Sequence, residues 1–177
     1  MLGEIKISTQ IILTKSSIID KSALVDLLND IEIYNQTLRI PFPYMEADAL
    51  AAIEYNLNFE EKNKKQRNWV IRNTNGDLMG HIGLHYPYGL DSNSNEVYYW
   101  LGKPFRNKGI MSVVLNTFTE HCFSNLNIQR LEAPIFDFNK TSEKVLLNCG
   151  YTFEKDLPNH YTKGEKIISA KLYAKEK

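Results

Sequence analysis

The sequence predicts a layered α/β fold with a mixed, largely antiparallel central sheet flanked by helices. Two observations carry that expectation. Apolar residues recur with strand period and helix period in an irregular order: strand, two helices, three strands, helix, strand, helix, two strands. Some consecutive strand patterns are separated only by turn-length stretches such as "NTNGD", as in a hairpin. The length of 177 residues suits one domain, residues 1–177, with a sizeable core.

The elements follow in order. Residues 5–13, "IKISTQIIL", read as a strand. In "DKSALVDLLND" (20–30), Asp20 is an expected N-cap, and Ala23, Leu24, Leu27, Leu28 and Ile31 fall at helical spacing. "RIPFPY" (39–44) holds two prolines and reads as extended. A second helix is expected from about Met45 to about Glu61, with Ala47, Leu50, Ala51 and Leu57 inward. "NWVIRN" (68–73), "LMGHIGLHY" (78–86) and "EVYYWL" (96–101) read as strands, while "EEKNKKQRN" (60–68) and "DSNSNE" (91–96) read as surface loops. From Ile110, positions 110, 113, 114, 117, 118, 121 and 122 describe one helical face. "RLEAPIF" (130–136) is a strand, and "KTSEKVLLNC" (140–149) is a helix that Gly150 should end in a left-handed cap. "YTFEKDL" and "KIISAKLYA" close the chain as strands.

Composition narrows the function. Apolar residues make up 43% and charged residues 24%, as in a soluble globular protein. Lys plus Arg and Asp plus Glu each count 21, so the basic excess of a generic nucleic-acid or membrane-surface binder is missing. Cys122 and Cys149 form no CxxC pair and read as buried thiols in a reducing compartment. There is no apolar run of membrane-spanning length and no signal-peptide pattern, so a cytoplasmic location is expected. No His, Cys, Asp and Glu cluster has metal-ligand spacing, and no metal is expected. The oligomeric state is not legible.

One stretch points to chemistry. In "YYWLGKPFRNKGIM" (98–111) an apolar strand stops at Gly102 and Pro104, a basic loop comes next, and a helix starts at once. The first N–H groups of a helix are unpaired and its dipole makes that end positive, so such a loop suits an anion, phosphate above all. The same residues can also be an ordinary strand–loop–helix link with solvated charges. No GxxxxGK[ST] occurs and no GxGxxG follows a strand, which argues against a nucleotide-binding protein.

Four pieces resemble, in sequence order, the GNAT superfamily of acetyl-coenzyme A-dependent N-acetyltransferases, and within it the ribosomal-protein N-terminal acetyltransferase branch. "LLNDIEIYNQTLRIPFPYMEADALAAI" resembles that branch's acceptor-side helices. "EVYYWLGKPFRNKGIM" resembles the strand and the pyrophosphate loop, [RQ]xxGx[GA], at Arg106 to Met111. "NKTSEKVLLNCGYTFE" resembles the branch's NxxSxxxxxxxGF/YxxE segment through Asn139, Ser142, Gly150, Tyr151 and Glu154. "KGEKIISAKLY" resembles its closing hairpin. Three residues depart from the pattern: Met111 stands where the loop prefers Gly or Ala, Pro134 interrupts a strand, and Ser169 replaces an acid.

The resemblance implies a GNAT-like acyl-CoA N-acyltransferase fold with acetyl-CoA as cosubstrate and an amine as acceptor. The acceptor is expected to be a protein or peptide N-terminal α-amine, or alternatively a small amine or amino acid. It also implies the site. The N–H groups of Asn107, Lys108, Gly109, Ile110 and Met111 would cradle the diphosphate, with charge from Arg106 and Lys108. The backbone of Tyr99, Trp100 and Leu101 would pair with the pantetheine arm. Asn139 would contact the cofactor, or cap its helix, or both. Ser142 shares a helix face with Val145, Leu146 and Cys149; it would donate to the leaving thiolate, or bond to its own backbone one turn back. Glu96 would draw the amine proton through water, or be a surface carboxylate. His81 and His85 are alternative bases or structural side chains. Tyr34, Arg39, Phe42 and Tyr44 would line the acceptor side. A non-catalytic acyl-CoA-binding module would keep the loop and lose the proton-handling groups.

Overall fold

Eight strands pair in the order β1-β2-β3-β4-β5-β6-β8-β7. The computed structural model describes residues 3–85 and 94–177. Tyr86 of the expected strand and residues 91–93 of the expected loop lie outside the described residues. The chain forms two compact units: Met1–Leu84 with Tyr99–Ile110, and His85–Tyr98 with Met111–Lys177.

In the first unit the expected strand at 5–13 is a hairpin, β1 (Ile5–Lys6) and β2 (Ile11–Thr14). Its turn forms because the N–H groups of Ile7 and Ser8 donate to the Ile11 carbonyl, and Ser8 Oγ accepts from Gln10 N at 3.1 Å. Strand β2 pairs antiparallel with β3 (Asn68–Asn73), and β3 with β4 (Leu78–Leu84). The turn between them is the expected one, with Gly76 at φ 86° and Asn73 Oδ1 accepting from the N–H groups of Asn75 and Asp77. Every residue of β4 is buried. A Cβ on Gly80 would clash with the Trp100 carbonyl oxygen, so the close approach of β4 to the next strand requires glycine there.

The helical part differs from expectation. A 3-10 turn, Ile18–Asp20, leads into α1 (Lys21–Leu28), and a further helix, α2 (Ile31–Gln36), precedes α3 (Glu46–Asn63). Asp20 stands at the N-cap position of α1, but its carboxylate serves Ser17 N (2.8 Å) and Arg72 (2.8 Å) instead of that helix. Asn29 and Asp30 divide α1 from α2. The Asn29 amide pairs with the backbone of Tyr44 at 2.8 and 2.9 Å, and Asp30 Oδ1 accepts the Glu32 N–H. Helix α3 faces inward through Ala49, Ile53, Asn56 and Glu60, while Ala47, Ala51 and Leu57 are exposed and Leu50 is half-buried. Apolar residues surround this helix, so their spacing does not single out a face. The polar Glu60 turns in and meets Lys15 at 3.0 Å. Leu24, Leu28, Ile33, Tyr44, Ala49, Ile53, Val70 and Leu78 form this unit's core.

Strand β5 (Ser94–Leu101) starts in the second unit and ends in the first. In the second unit it runs parallel to β6 (Arg130–Phe136), with Ser94–Glu96 opposite Arg130–Glu132, and that pairing stops there. Pro134 lies just beyond the last pair, where its missing N–H costs the β5 ladder nothing. On its other side β6 pairs antiparallel with β8 (Lys166–Glu176), and β8 with the outermost strand β7 (Thr152–Lys163). Ser169 Oγ accepts the N–H of Asn159, which has φ 52°, where the β7 register shifts. Helix α4 (Ile110–Asn125) buries Met111, Val114, Leu115, Phe118, Thr119, Cys122 and Phe123. That face is rotated from the expected one, since Val113 is exposed and Thr119 turns inward to pair with the Tyr151 hydroxyl at 2.8 Å. Helix α5 (Lys140–Asn148) ends at the expected Gly150, φ 78°. Both cysteines are free and buried. Among the described residues no helix is long and apolar enough to cross a membrane.

Candidate active site

The loop after β5 is a 3-10 turn, Lys103–Phe105, followed by Arg106–Gly109, and α4 begins at the next residue. Asn107 and Gly109 both have left-handed backbone, φ 60° and 73°. Left-handed residues are a recurrent component of the backbone turns that form anion-binding nests. A Cβ at Gly109 would meet nothing within 4 Å, so the backbone there is open to a ligand. Lys108 is exposed and its ammonium rests on the Pro104 carbonyl at 2.8 Å.

Arg106 is not the free cation that the loop pattern implies. Its Nε donates to the Leu101 carbonyl (2.9 Å), one terminal nitrogen to Asp30 (2.6 Å) and the other to Glu32 (2.6 Å). Two carboxylates therefore answer one guanidinium. Leu101 is buried, and Tyr99 and Trp100 are half-buried, with Trp100 against the first unit's core and stacked on His81 at 5.2 Å. His81 is buried and its Nε2 has no hydrogen-bond partner among the described residues. Burial first, then the Arg72 charge, pushes its pKa down to about 3. A base so hard to protonate and so enclosed is a structural side chain.

The expected acceptor residues divide. Tyr34 on α2 packs its ring against Phe42 at 6.0 Å, Phe42 is exposed, and Arg39 is exposed. Tyr44 is a correction: it is 4% exposed and belongs to the core, because Asn29 holds its backbone inward. Burial, then Asp48, raises its hydroxyl to about 12, so it stays neutral.

In the second unit, Asn139 is buried and caps α5, its Oδ1 accepting the Ser142 N–H at 3.0 Å. Ser142 is half-buried on the same side as Val145, Leu146 and Cys149, the last two buried. Glu96 is no bare surface carboxylate. Its Oε1 lies 3.5 Å from His85 Nε2, and the His85 ring packs on Tyr98 at 4.5 Å. Met111 is buried in the first turn of α4. Among the described residues no three His, Cys, Asp or Glu side chains gather as metal ligands would.

A family model described as "Acetyltransferase (GNAT) domain" matches residues 10–152. The chain belongs to the GNAT acetyltransferase family. Among curated protein sequences none matches. Several solved structures share the GNAT fold at low identity. The microcin C7 self-immunity acetyltransferase MccE, in complex with acetyl-CoA and AMP, is 22% identical with TM-score 0.83, over 98% of this chain and 96% of that one. RimL, the ribosomal L7/L12 α-N-protein acetyltransferase, in complex with coenzyme A, is 17% identical with TM-score 0.86, over 98% of both chains. The acetyltransferase of Salmonella typhimurium that modifies the N-terminal serine of ribosomal protein L7/L12 is 18% identical with TM-score 0.84, over 99% of both chains. The GNAT fold thus explains the open mixed sheet and the loop that leads into α4. Sequence reasoning misses the pairing of Arg106 with Asp30 and Glu32. Nothing in a linear pattern links acids to a base more than 70 residues away.

Proposed function

We propose that the chain is an acetyl-CoA-dependent N-acetyltransferase whose preferred acceptor is the α-amine of a protein or peptide N-terminus. The observation that carries this reading is the loop Arg106–Gly109, left-handed at Asn107 and Gly109 and leading directly into α4, in a chain of the acetyltransferase family. The N–H groups of Asn107, Lys108, Gly109, Ile110 and Met111 receive the diphosphate, and Lys108 adds positive charge. Tyr99, Trp100 and Leu101 offer strand backbone to the pantetheine arm, and Asn139 holds the start of α5 while contacting the cofactor.

Acetyl-CoA supplies the acetyl thioester. The neutral amine attacks its carbonyl, a C–N bond forms, the C–S bond breaks, and the thiolate leaves and is protonated. Ser142 donates to that developing thiolate. Glu96, held beside His85, accepts the proton lost by the amine through water. An α-amine has an unperturbed pKa of roughly 8 against about 10.4 for lysine, so a weak base suffices for it near neutral pH. Tyr34, Arg39 and Phe42 contact the acceptor.

Resemblance to enzymes that modify protein N-termini supports the α-amine. MccE, a self-immunity acetyltransferase whose structure holds acetyl-CoA and AMP, keeps open a second reading, a small amine or amino acid as acceptor. One assay separates them: free-thiol release from acetyl-CoA with a panel of amines, and mass spectrometry of two peptides. One peptide has a free N-terminus and no lysine; the other is N-blocked with one lysine. Faster acetylation of the first is expected. Faster acetylation of the blocked peptide overturns the α-amine reading, turnover of small amines alone selects the second, and acetyl-CoA binding with no thiol release under any amine leaves a binding module.

A further inference from the structure

We propose that Arg106 is a positioning residue, not a phosphate ligand, and that through Asp30 and Glu32 it ties the donor loop to the acceptor-side helix α2. This rests on the loop being the donor's seat, as proposed above. The guanidinium is engaged on three sides, by the Leu101 carbonyl at 2.9 Å and by Asp30 and Glu32 at 2.6 Å each. The Arg106 and Asp30 side chains are 21% and 11% exposed, so this contact is largely withdrawn from water. With its donors committed to these partners, Arg106 leaves the diphosphate to the backbone N–H groups and Lys108.

The tie reaches the acceptor side by short steps. Asp30 uses one carboxylate oxygen on Arg106 and the other on the Glu32 N–H, which starts α2. Its carbonyl accepts the Tyr34 N–H at 3.0 Å, and Tyr34 packs on Phe42. The planar fork of arginine suits this three-way grip and a lysine cannot reproduce it. Loop shape and α2 placement are therefore set together, and donor and acceptor affinities are coupled through them.

The test is the sign of one change. Asp30→Asn keeps the shape and a good helix cap while removing a charge that competes for Arg106. If Arg106 positions the loop, acetyl-CoA affinity by calorimetry falls about fivefold and the acceptor KM rises with it. If Arg106 binds phosphate, the freed guanidinium makes affinity rise or stay level, and the proposal is overturned. Arg106→Lys should behave like Arg106→Gln, and the double variant Asp30→Asn/Arg106→Gln should be no weaker than Arg106→Gln alone. Additive losses, or wild-type affinity with lysine, also overturn it. Glu32→Gln, at a side chain 61% exposed, gives a milder version should Asp30→Asn fold poorly, with the same sign expected. If the wild-type chain binds no acetyl-CoA, the functional reading falls and this inference with it. If it binds and Asp30→Asn matches it, the inference alone falls.

Discussion

His81 is an imidazole that the fold keeps neutral. Its pKa is lowered to about 3 from the ordinary 6.5, chiefly by burial. Between those values the unfolded chain takes up a proton that the folded chain refuses, so stability is lost as pH falls from about 6.5 toward about 3. The slope from this residue is at most about 1.4 kcal/mol per pH unit. His81→Phe keeps an aromatic face for Trp100 and removes the proton site. Urea midpoints should therefore fall less steeply with acid in the variant than in the wild type; parallel curves would assign the acid sensitivity elsewhere. Ser142→Ala is expected to keep acetyl-CoA affinity and lower kcat about 10–100-fold, because a donor to the thiolate acts mainly in the transition state. Unchanged kcat would leave Ser142 as a structural hydroxyl. At this scale much is readable. Asn139 as a helix cap and Gly150 as a left-handed terminus follow from local chemistry, and both are found. Tyr44 is not readable as core, because the Asn29 amide that pulls its backbone inward acts from 15 residues away.

Elements divide by whether their pattern or their partners decide them. Strands β3, β5 and β6 lie within two residues of expectation because β-branched and aromatic runs with turn residues at their ends specify them locally. Helix α2 escapes the pattern because it is six residues long, too short for a period to declare itself. The faces of α3 and α4 differ from those expected because tertiary partners turn Glu60 and Thr119 inward against their polarity. The break between α1 and α2 gives a prediction. Asn29→Ala removes both bonds to the Tyr44 backbone and leaves that buried segment's polar groups without a partner, a loss of about 1–3 kcal/mol. A thermal midpoint lowered by several degrees is expected, and an unchanged midpoint would mean water replaces the amide. Asn29→Asp keeps one acceptor and should fall between.

For the whole molecule, the strand order β1-β2-β3-β4-β5-β6-β8-β7 has a single parallel neighbour pair among the described pairings, β5 with β6. The mixed sheet is legible in the order of patterns, but the parallel register and its end at Glu96 and Glu132 are not, since register is a property of two strands. The proposed function rests on three consecutive pieces of chain: the end of β5, a left-handed basic loop, and the start of α4. The most direct measurement is calorimetric titration of acetyl-CoA into the wild-type chain and into Gly109→Val. Gly109 sits at φ 73°, where a β-branched residue is strained, and its open side is where the diphosphate would lie. The wild type should bind, and the folded variant should bind at least about tenfold more weakly, a difference of about 1.4 kcal/mol. Equal affinity in a variant shown to be folded would contradict the assignment of this loop as the acetyl donor's seat.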